Sequence, residues 1–442
     1  MQCIGIRRED KNQWERRVPL VPEDTHRLKQ EYAMEVRIQP STIRIFTDKQ
    51  YIEAGSIVDE KLLQCSIVFA IKEIPIGFFE PNRTYIFFSH TIKGQSHNMS
   101  MLKRMMDLKC QLIDYEKVID ETGRRLIFFG RYAGLAGMID TLWALGKRLD
   151  YEKIDNPFST IRTAHEYRNL DEAQNELANV GKKIATIGLP RSLTPLICGF
   201  MGYGNVSKGA QEILDILPTK EITPQEIEGI APNANLIYKV VFKEEDMVEL
   251  NPKTDNRTPI TEKFDLQDYY TYPEKYISCF EQYIPHLTLL INSIYWDTRY
   301  PRFVTKNYLK SLYHPAHKIM CGTKLKVIGD LSCDVDGAIE CTLNITTPAN
   351  PVFVYNPLTE EAITGVEGVG PVILAVDNLP CELPRESSIY FSQTLMNFIP
   401  QIAKADFRVE FEQCNLPPEI RRATILYHGK FTPDYKYMEK FL

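Results

Sequence analysis

Pro195-Leu196-Ile197-Cys198-Gly199-Phe200-Met201-Gly202-Tyr203-Gly204-Asn205-Val206-Ser207-Lys208-Gly209-Ala210 runs from an apolar segment through a glycine-rich turn into helical spacing. Apolar positions Val206, Ala210, Ile213 and Leu214 recur on one helical face until Pro218 stops the helix. A buried strand, a glycine turn and a helix in that order form a receptor for a pyrophosphate. Gly202 permits the turn, Gly204 lets the backbone approach the phosphates, and Gly209 lets helix and sheet pack closely. The anion then rests on the helix N-terminus at Asn205 and Val206. The spacing is G-x-G-x-x-x-x-G rather than G-x-G-x-x-G, so the strand before and the helix after carry the argument. The acid expected about 20 residues on, to hold a ribose 2′-hydroxyl, is missing. The next strand ends at Ile222-Thr223-Pro224-Gln225, with Glu226 one step beyond. This favours NADP(H) over NAD(H), with Lys239 or Lys243 as candidate cations.

On the N-terminal side, strand-like runs at Met34–Ile38, Ser66–Ile71, Thr84–Phe88 and Gln111–Ile113 alternate with helical stretches such as Asp24–Tyr32 and Asn98–Leu108. The alternation predicts a parallel sheet. Three of these runs end in polar, chemically able residues: Lys72-Glu73, Ser89-His90 and Tyr115-Glu116. Ligands of open α/β sheets bind at the carboxyl ends of strands, so Lys72, His90 and Glu116 are expected on one rim. Further strands are expected at His286–Ile291 and Leu325–Ile328, a surface excursion over Lys243–Lys275, and a long helix over Glu386–Ala405. The fold expected is α/β, with two Rossmann-like domains of parallel sheets flanked by helices and an active-site cleft between them. Residues 1–140 plus 376–442 would form a discontinuous substrate domain, and 141–375 the dinucleotide-binding domain.

The 442 residues suit two domains, and 44% hydrophobic with 25% charged side chains is an ordinary globular mixture. Lys and Arg number 52 against 58 Asp and Glu, a net charge of −6 that gives no nucleic-acid or acidic-membrane footprint. No apolar run reaches the length of a membrane-spanning helix. Ten cysteines lie scattered without a C-x-x-C pair, which predicts free thiols in a reducing compartment and no metal site. His97, His165, His314 and His317 have no partners at ligand spacing and receive no role. Read as a natural start, Met1-Gln2-Cys3-Ile4 opens directly on a strand and predicts a cytoplasmic protein.

Ile6-Arg7-Arg8-Glu9-Asp10-Lys11, Trp14-Glu15-Arg16-Arg17-Val18-Pro19-Leu20, Lys72-Glu73-Ile74-Pro75 and Phe88-Ser89-His90 resemble the alanine dehydrogenases and the transhydrogenase N-terminal domain. Ile113-Asp114-Tyr115-Glu116, Gly123-Arg124-Arg125, Asp377-Asn378-Leu379-Pro380 and Leu383-Pro384-Arg385-Glu386 are closer to the saccharopine-forming enzymes. Gly204-Asn205-Val206-Ser207-Lys208-Gly209, Ile291-Asn292-Ser293-Ile294-Tyr295-Trp296 and Asp330-Leu331-Ser332-Cys333-Asp334 resemble the lysine–ketoglutarate reductases, saccharopine dehydrogenases of the lysine-forming kind. The resemblance runs from Ile4 to about Leu442, without the second dehydrogenase half that commonly follows this region.

That resemblance implies an NAD(P)H-dependent condensation of L-lysine with 2-oxoglutarate to saccharopine, the first step of lysine degradation. It implies that Lys72 and His90 carry the acid–base work, their individual roles open, with Glu73 and Glu116 as supporting carboxylates. Arg17 and Arg125 match the family's carboxylate-binding positions, and Lys93 is a third candidate cation; Arg124 is read as structural. Asn292, Asp330 and Asp377 are placed along the cofactor cleft with Gly202, Gly204, Asn205, Val206 and Gly209, and Asn378 borders it. Partners would be the small-molecule substrates, a homo-oligomer, and a separate saccharopine dehydrogenase (glutamate-forming) downstream, with neither nucleic acid nor membrane. Two rivals stand: an alanine dehydrogenase-like enzyme acting on pyruvate and ammonia, and a nucleotide-sensing module without chemistry.

Overall fold

The structure, a computed structural model, describes residues 2–252, 264–314 and 323–442; His317 lies outside them, as does much of the expected surface excursion. The chain divides into two compact units, Met1–Phe129 with Pro384–Leu442, and Gly130–Leu383.

In the first unit, β1 (Cys3–Ile6), β2 (Glu35–Ile38), β3 (Ile57–Val58), β4 (Ile67–Phe69), β5 (Thr84–Phe87) and β6 (Gln111–Asp114) pair in parallel in the order β6-β5-β4-β1-β2-β3. Thr424–Tyr427 adds antiparallel beside β6, and Lys430–Phe431 lies outside it. Every residue of β4, β5 and β6 is buried, as a sheet covered on both faces requires. Strand order reverses between β1 and β4, so the crevice at their carboxyl ends is where such a sheet receives a ligand.

Local signals set the helices. Pro22–Tyr32 opens with Pro22, Glu23 and Asp24 in its first turn and closes on Ala33 at φ 53. The single helix expected over Glu386–Ala405 is instead two, Pro384–Leu395 and Ile399–Lys404. Pro400 has no N–H to donate and would clash inside a continuous helix, so it sits in the first turn of the second.

The second unit continues with β7 (Leu196–Met201), β8 (Thr219–Glu221), β9 (Ile237–Phe242), β10 (Val248–Leu250), β11 (Tyr276–Ser278), β12 (Leu289–Asn292), β13 (Val327–Asp330), β14 (Val352–Asn356), β15 (Glu361–Thr364) and β16 (Val372–Leu374). Its main sheet is ordered β15-β14-β16-β13-β12-β7-β9-β8; β14 and β15 run antiparallel and the rest parallel. Beside the glycine-turn strand β7 lies β9, with the three-residue β8 outside it. The described part of Lys243–Lys275 is no simple excursion either: β10 pairs with β11, and Met247, Val248 and Tyr269 are buried in the core.

Helix Gly130–Tyr151 lies whole in the second unit, so the expected boundary at 140 falls inside it. The reason is backbone contact with helix Asn205–Leu214. A Cβ on Gly134 would stand 1.9 Å from the Val206 carbonyl oxygen, and one on Gly209 2.1 Å from that of Arg131. Gly209 therefore serves helix-on-helix packing, not the helix-on-sheet packing expected of it.

The same helix carries the fully buried Asp140, which accepts a hydrogen bond from the Ala164 N–H at 2.7 Å and whose carboxyl is pushed up further by the charge of Glu382, 2% exposed. Burial pushes Glu382 up to about 7 and Asp140 well above the carboxylate range, and His165 Nδ1 lies 3.3 Å from Glu382 Oε2. The native state thus keeps a proton on Glu382 that the unfolded chain releases in the ordinary glutamate range. Stability is therefore lost as pH rises from that range through 7. Glu382→Gln should flatten this slope, read as a smaller difference in unfolding midpoint between about pH 5 and about pH 8. Equal slopes in variant and wild type would show that Glu382 does not titrate in this way.

Candidate functional site

In the first unit the loop after β1 folds back across the carboxyl ends of β1 and β4. Arg7 N–H donates to the Phe69 carbonyl at 2.9 Å. Two residues on, the buried Glu9 turns inward and accepts from the N–H groups of Ile71 (2.7 Å) and Lys72 (3.0 Å). Burial and the nearby Glu15 charge push its carboxyl up to about 7, against the pull of those two N–H groups. Glu9 thus fixes the backbone from which Lys72 projects.

Lys72 is half-buried. Burial first, and then the Arg17 cation, hold its ammonium below the ordinary lysine range, opposed by Glu15 and Glu73. Its neighbour Glu73 accepts from His90 Nδ1 at 2.6 Å and from Lys11 Nζ at 3.2 Å. Burial would raise Glu73, but the His90 hydrogen bond, backbone and charge contributions outweigh it and hold the carboxyl at about 2. An ionised Glu73 therefore orients the imidazole and fixes which ring nitrogen carries a proton.

His90 sits at φ 48, and Asn98 Nδ2 donates to both the Ser89 and His90 carbonyls at 3.1 Å, holding this turn at the tip of β5. Beneath it Ser89 donates to the buried Asp114 at the end of β6, whose other oxygen accepts the Glu116 N–H at 2.8 Å. The three strand tips named from sequence are thus cross-linked: Lys72-Glu73 to His90 through Glu73, and Ser89 to Glu116 through Asp114.

The expected cations divide. Arg17 is 2% exposed, donates from Nε and Nη2 to the fully buried Glu15 at 2.7 and 2.6 Å, and lies over the Phe129 ring at 4.3 Å. A substrate carboxylate would meet this guanidinium only at the cost of that pair. Arg125 is half-exposed and paired with Glu116, and Lys93 is exposed. Arg124 pairs with Asp120 at the surface. Glu9 and Glu15 were missed from sequence. No local pattern in Trp14-Glu15-Arg16-Arg17, which follows a turn, marks Glu15 and Arg17 as buried.

In the second unit, β9, β7 and β12 end side by side, and the residues after each line a cavity of about 340 Å³. Gly202 turns at φ 91, a conformation that favours glycine. Gly204 precedes helix Asn205–Leu214, and a Cβ there would meet nothing within 4 Å. Open space at the Gly204 Cβ position, just before the helix N-terminus, is what close approach of a dinucleotide pyrophosphate requires. Asn292 and Asp330, expected along the cofactor cleft, are buried and bonded to each other at 2.8 Å. Asp330 also accepts from Thr342 Oγ1 at 2.6 Å, and burial pushes it up to about 6. They tie the tips of β12 and β13 together. Asp377 is exposed, and its charge is felt by Cys333 in the loop after β13. Lys239 pairs with Asp215 and Glu221, so it is not a cation awaiting a phosphate.

Among the described residues there is no group of three or more His, Cys, Asp or Glu placed to hold a metal, and no helix long and apolar enough to cross a membrane.

Two family profiles match the chain, the alanine dehydrogenase/PNT N-terminal domain over residues 5–136 and the alanine dehydrogenase/PNT C-terminal domain over residues 271–434. The mitochondrial alpha-aminoadipic semialdehyde synthase of Bos taurus is 37% identical over 99% of this chain and 47% of its own length. That of Arabidopsis thaliana is 33% identical over 99% and 41%. The chain thus spans about half the length of these relatives, or less. The saccharopine dehydrogenase (NAD(+), L-lysine-forming) of Emericella nidulans is 24% identical over 83% of this chain and 84% of its own. Among solved structures, an L-alanine dehydrogenase superposes with a TM-score of 0.62 at 15% identity, covering all of both chains. The transhydrogenase of Sinorhizobium meliloti gives 0.55 at 14%, over 98% of this chain and 100% of its own. These two share the two-domain α/β fold. From both matched domains together, this chain belongs to the alanine dehydrogenase/PNT family.

Proposed function

We propose that this chain condenses L-lysine with 2-oxoglutarate and reduces the imine to saccharopine, using a nicotinamide dinucleotide. The observation that carries this reading is the Lys72-Glu73/His90 pairing at adjacent strand tips: a lysine biased toward its neutral form beside a histidine oriented by an ionised glutamate. The relatives named for alpha-aminoadipic semialdehyde synthase and lysine-forming saccharopine dehydrogenase support the choice of substrates.

Reductive condensation requires an amine to lose a proton, a carbinolamine to lose water, and the resulting imine carbon to accept a hydride. In the proposed scheme neutral Lys72 takes the proton from the condensing amine. His90 protonates the departing carbinolamine oxygen, and Glu73 stabilises the imidazolium from which that proton comes. A bound dihydronicotinamide would supply the hydride, and Gly202, Gly204 and the N-terminus of helix Asn205–Leu214 would hold its pyrophosphate. Arg125, a planar fork already facing a carboxylate, and Lys93 bind substrate carboxylates. Arg17 we assign to electrostatics, lowering the Lys72 ammonium. Glu116 holds Arg125 in place.

The test is oxidation of the reduced cofactor by the purified protein in the presence of lysine and 2-oxoglutarate. Turnover of this pair, with saccharopine as product and little with pyruvate and ammonia, is expected. The reverse preference would make the chain an alanine dehydrogenase-like enzyme, and no turnover with either pair would favour a nucleotide-sensing module.

A further inference from the structure

We infer that Cys3 and Cys65 are a redox-active thiol pair, which hydrogen peroxide converts to a disulfide within the chain. The pair does not depend on the reaction proposed above. Cys3 opens β1, and Cys65 lies two residues before β4, the strand that pairs in parallel with β1. Their sulfurs stand 2.8 Å apart, although the residues are 62 positions apart in sequence. A disulfide bond is about 2.05 Å long, so closing it brings the sulfurs together by less than about 1 Å. Packing explains the approach. Alternate residues of a strand point to one face, so Gly5 shares the face of Cys3. A Cβ on Gly5 would stand 3.2 Å from Cys65 Cβ and 3.4 Å from its Sγ. The missing side chain gives Cys65 its place beside Cys3.

The two thiols differ as attacker and resolver must. Cys3 is part-exposed and Cys65 is buried. The hydrogen bond shared with Cys65 holds the Cys3 thiol below its ordinary value, with Arg37 assisting, against burial and the Glu35 charge. The same contact, followed by burial, pushes the Cys65 thiol up. The thiolate is the nucleophile, so Cys3 attacks and Cys65 resolves. Cys3 Sγ bonds to one peroxide oxygen and the O–O bond breaks. The departing hydroxide takes the proton that Cys3 released and leaves as water, and Cys3 becomes a sulfenic acid. Cys65 Sγ then bonds to Cys3 Sγ, and the sulfenic hydroxyl leaves with the Cys65 proton as a second water. Two thiols and one peroxide give one disulfide and two waters, the sulfurs losing the two electrons that the peroxide gains. The pair stands at the amino ends of β1 and β4, whereas Glu9 and Lys72 follow their carboxyl ends. The crosslink thus ties the two strands together away from the rim that carries Lys72, and a small dithiol reverses it by exchange.

The experiment treats the folded full chain with hydrogen peroxide, blocks the remaining thiols, and maps peptides from the monomer band of a non-reducing gel. The expected product is the Cys3 peptide joined to the Cys65 peptide, lighter by two hydrogens and separated again by dithiothreitol. In Cys65→Ser, Cys3 should stop at the sulfenic acid and be captured by dimedone. In Cys3→Ser, Cys65 should lose its thiol about tenfold or more slowly than in wild type. An oxidised wild type without the joined peptide overturns the inference, as does a Cys3 crosslink found only between two copies of the chain. Cys65 oxidised in Cys3→Ser at the wild-type rate overturns it as well, because the two thiols would then react independently. If a variant does not fold, the wild-type peptide map still decides.

Discussion

Lys72→Met is expected to lower kcat/KM for lysine and 2-oxoglutarate by about 10² to 10⁴, the usual contribution of a positioned acid–base group, while binding of the reduced nicotinamide cofactor stays within about twofold. Methionine keeps the length of the lysine stem and suits a half-buried site, so packing is little disturbed. Glu9 holds the backbone of residue 72 through its N–H, which the substitution leaves in place. The pH profile gives a sharper reading than the rate. Burial and the Arg17 charge hold the Lys72 ammonium below the ordinary lysine range, so the wild-type rise in kcat/KM with pH should come earlier than a free lysine would give. In Lys72→Met that rise should vanish. A variant with wild-type rate and profile would remove Lys72 from the chemistry.

How far the sequence could be read is plain from particular residues. The strand–glycine–helix stretch around Gly202 and the polar tips after β4, β5 and β6 were legible, because apolar runs and turn residues report local structure directly. Which strands lie side by side is another matter. β9 is six residues long, largely apolar and buried, while β8 is the short polar Thr219-Lys220-Glu221, and pairing puts β9 beside β7 and β8 at the edge. Burial of charge was equally hidden. Arg17 reads as a cation for a substrate carboxylate until Glu15 is seen folded against it, and Asp140 meets Glu382 only when distant parts of the second unit close together. The site is thus visible in sequence as residue types at strand ends. The carboxylates that set their charge belong to contacts between segments, which no local period encodes.

Those carboxylates set the other large effect. Glu15→Ala should destabilise the first unit by about 3 to 5 kcal/mol, because it strands the Arg17 guanidinium, 2% exposed, without its bidentate partner. The loss would be tempered by Glu9, whose carboxyl the Glu15 charge now pushes up and which would ionise more readily once Glu15 is gone. Since the two units need not unfold together, the measurement is hydrogen exchange in peptides covering β1 and β4, alongside a urea titration. Removing both charges, as Glu15→Leu with Arg17→Met, should recover most of the loss, since an apolar pair of similar volume often matches a buried ion pair. The double variant also separates stability from function. Arg17 lowers the Lys72 ammonium and Glu15 raises it, Arg17 being the stronger. Without both charges the ammonium holds its proton to higher pH, and the rise in kcat/KM should move up the pH scale in a protein that is folded and binds cofactor. Recovery of stability with no movement of the profile would confine this buried pair to holding the fold.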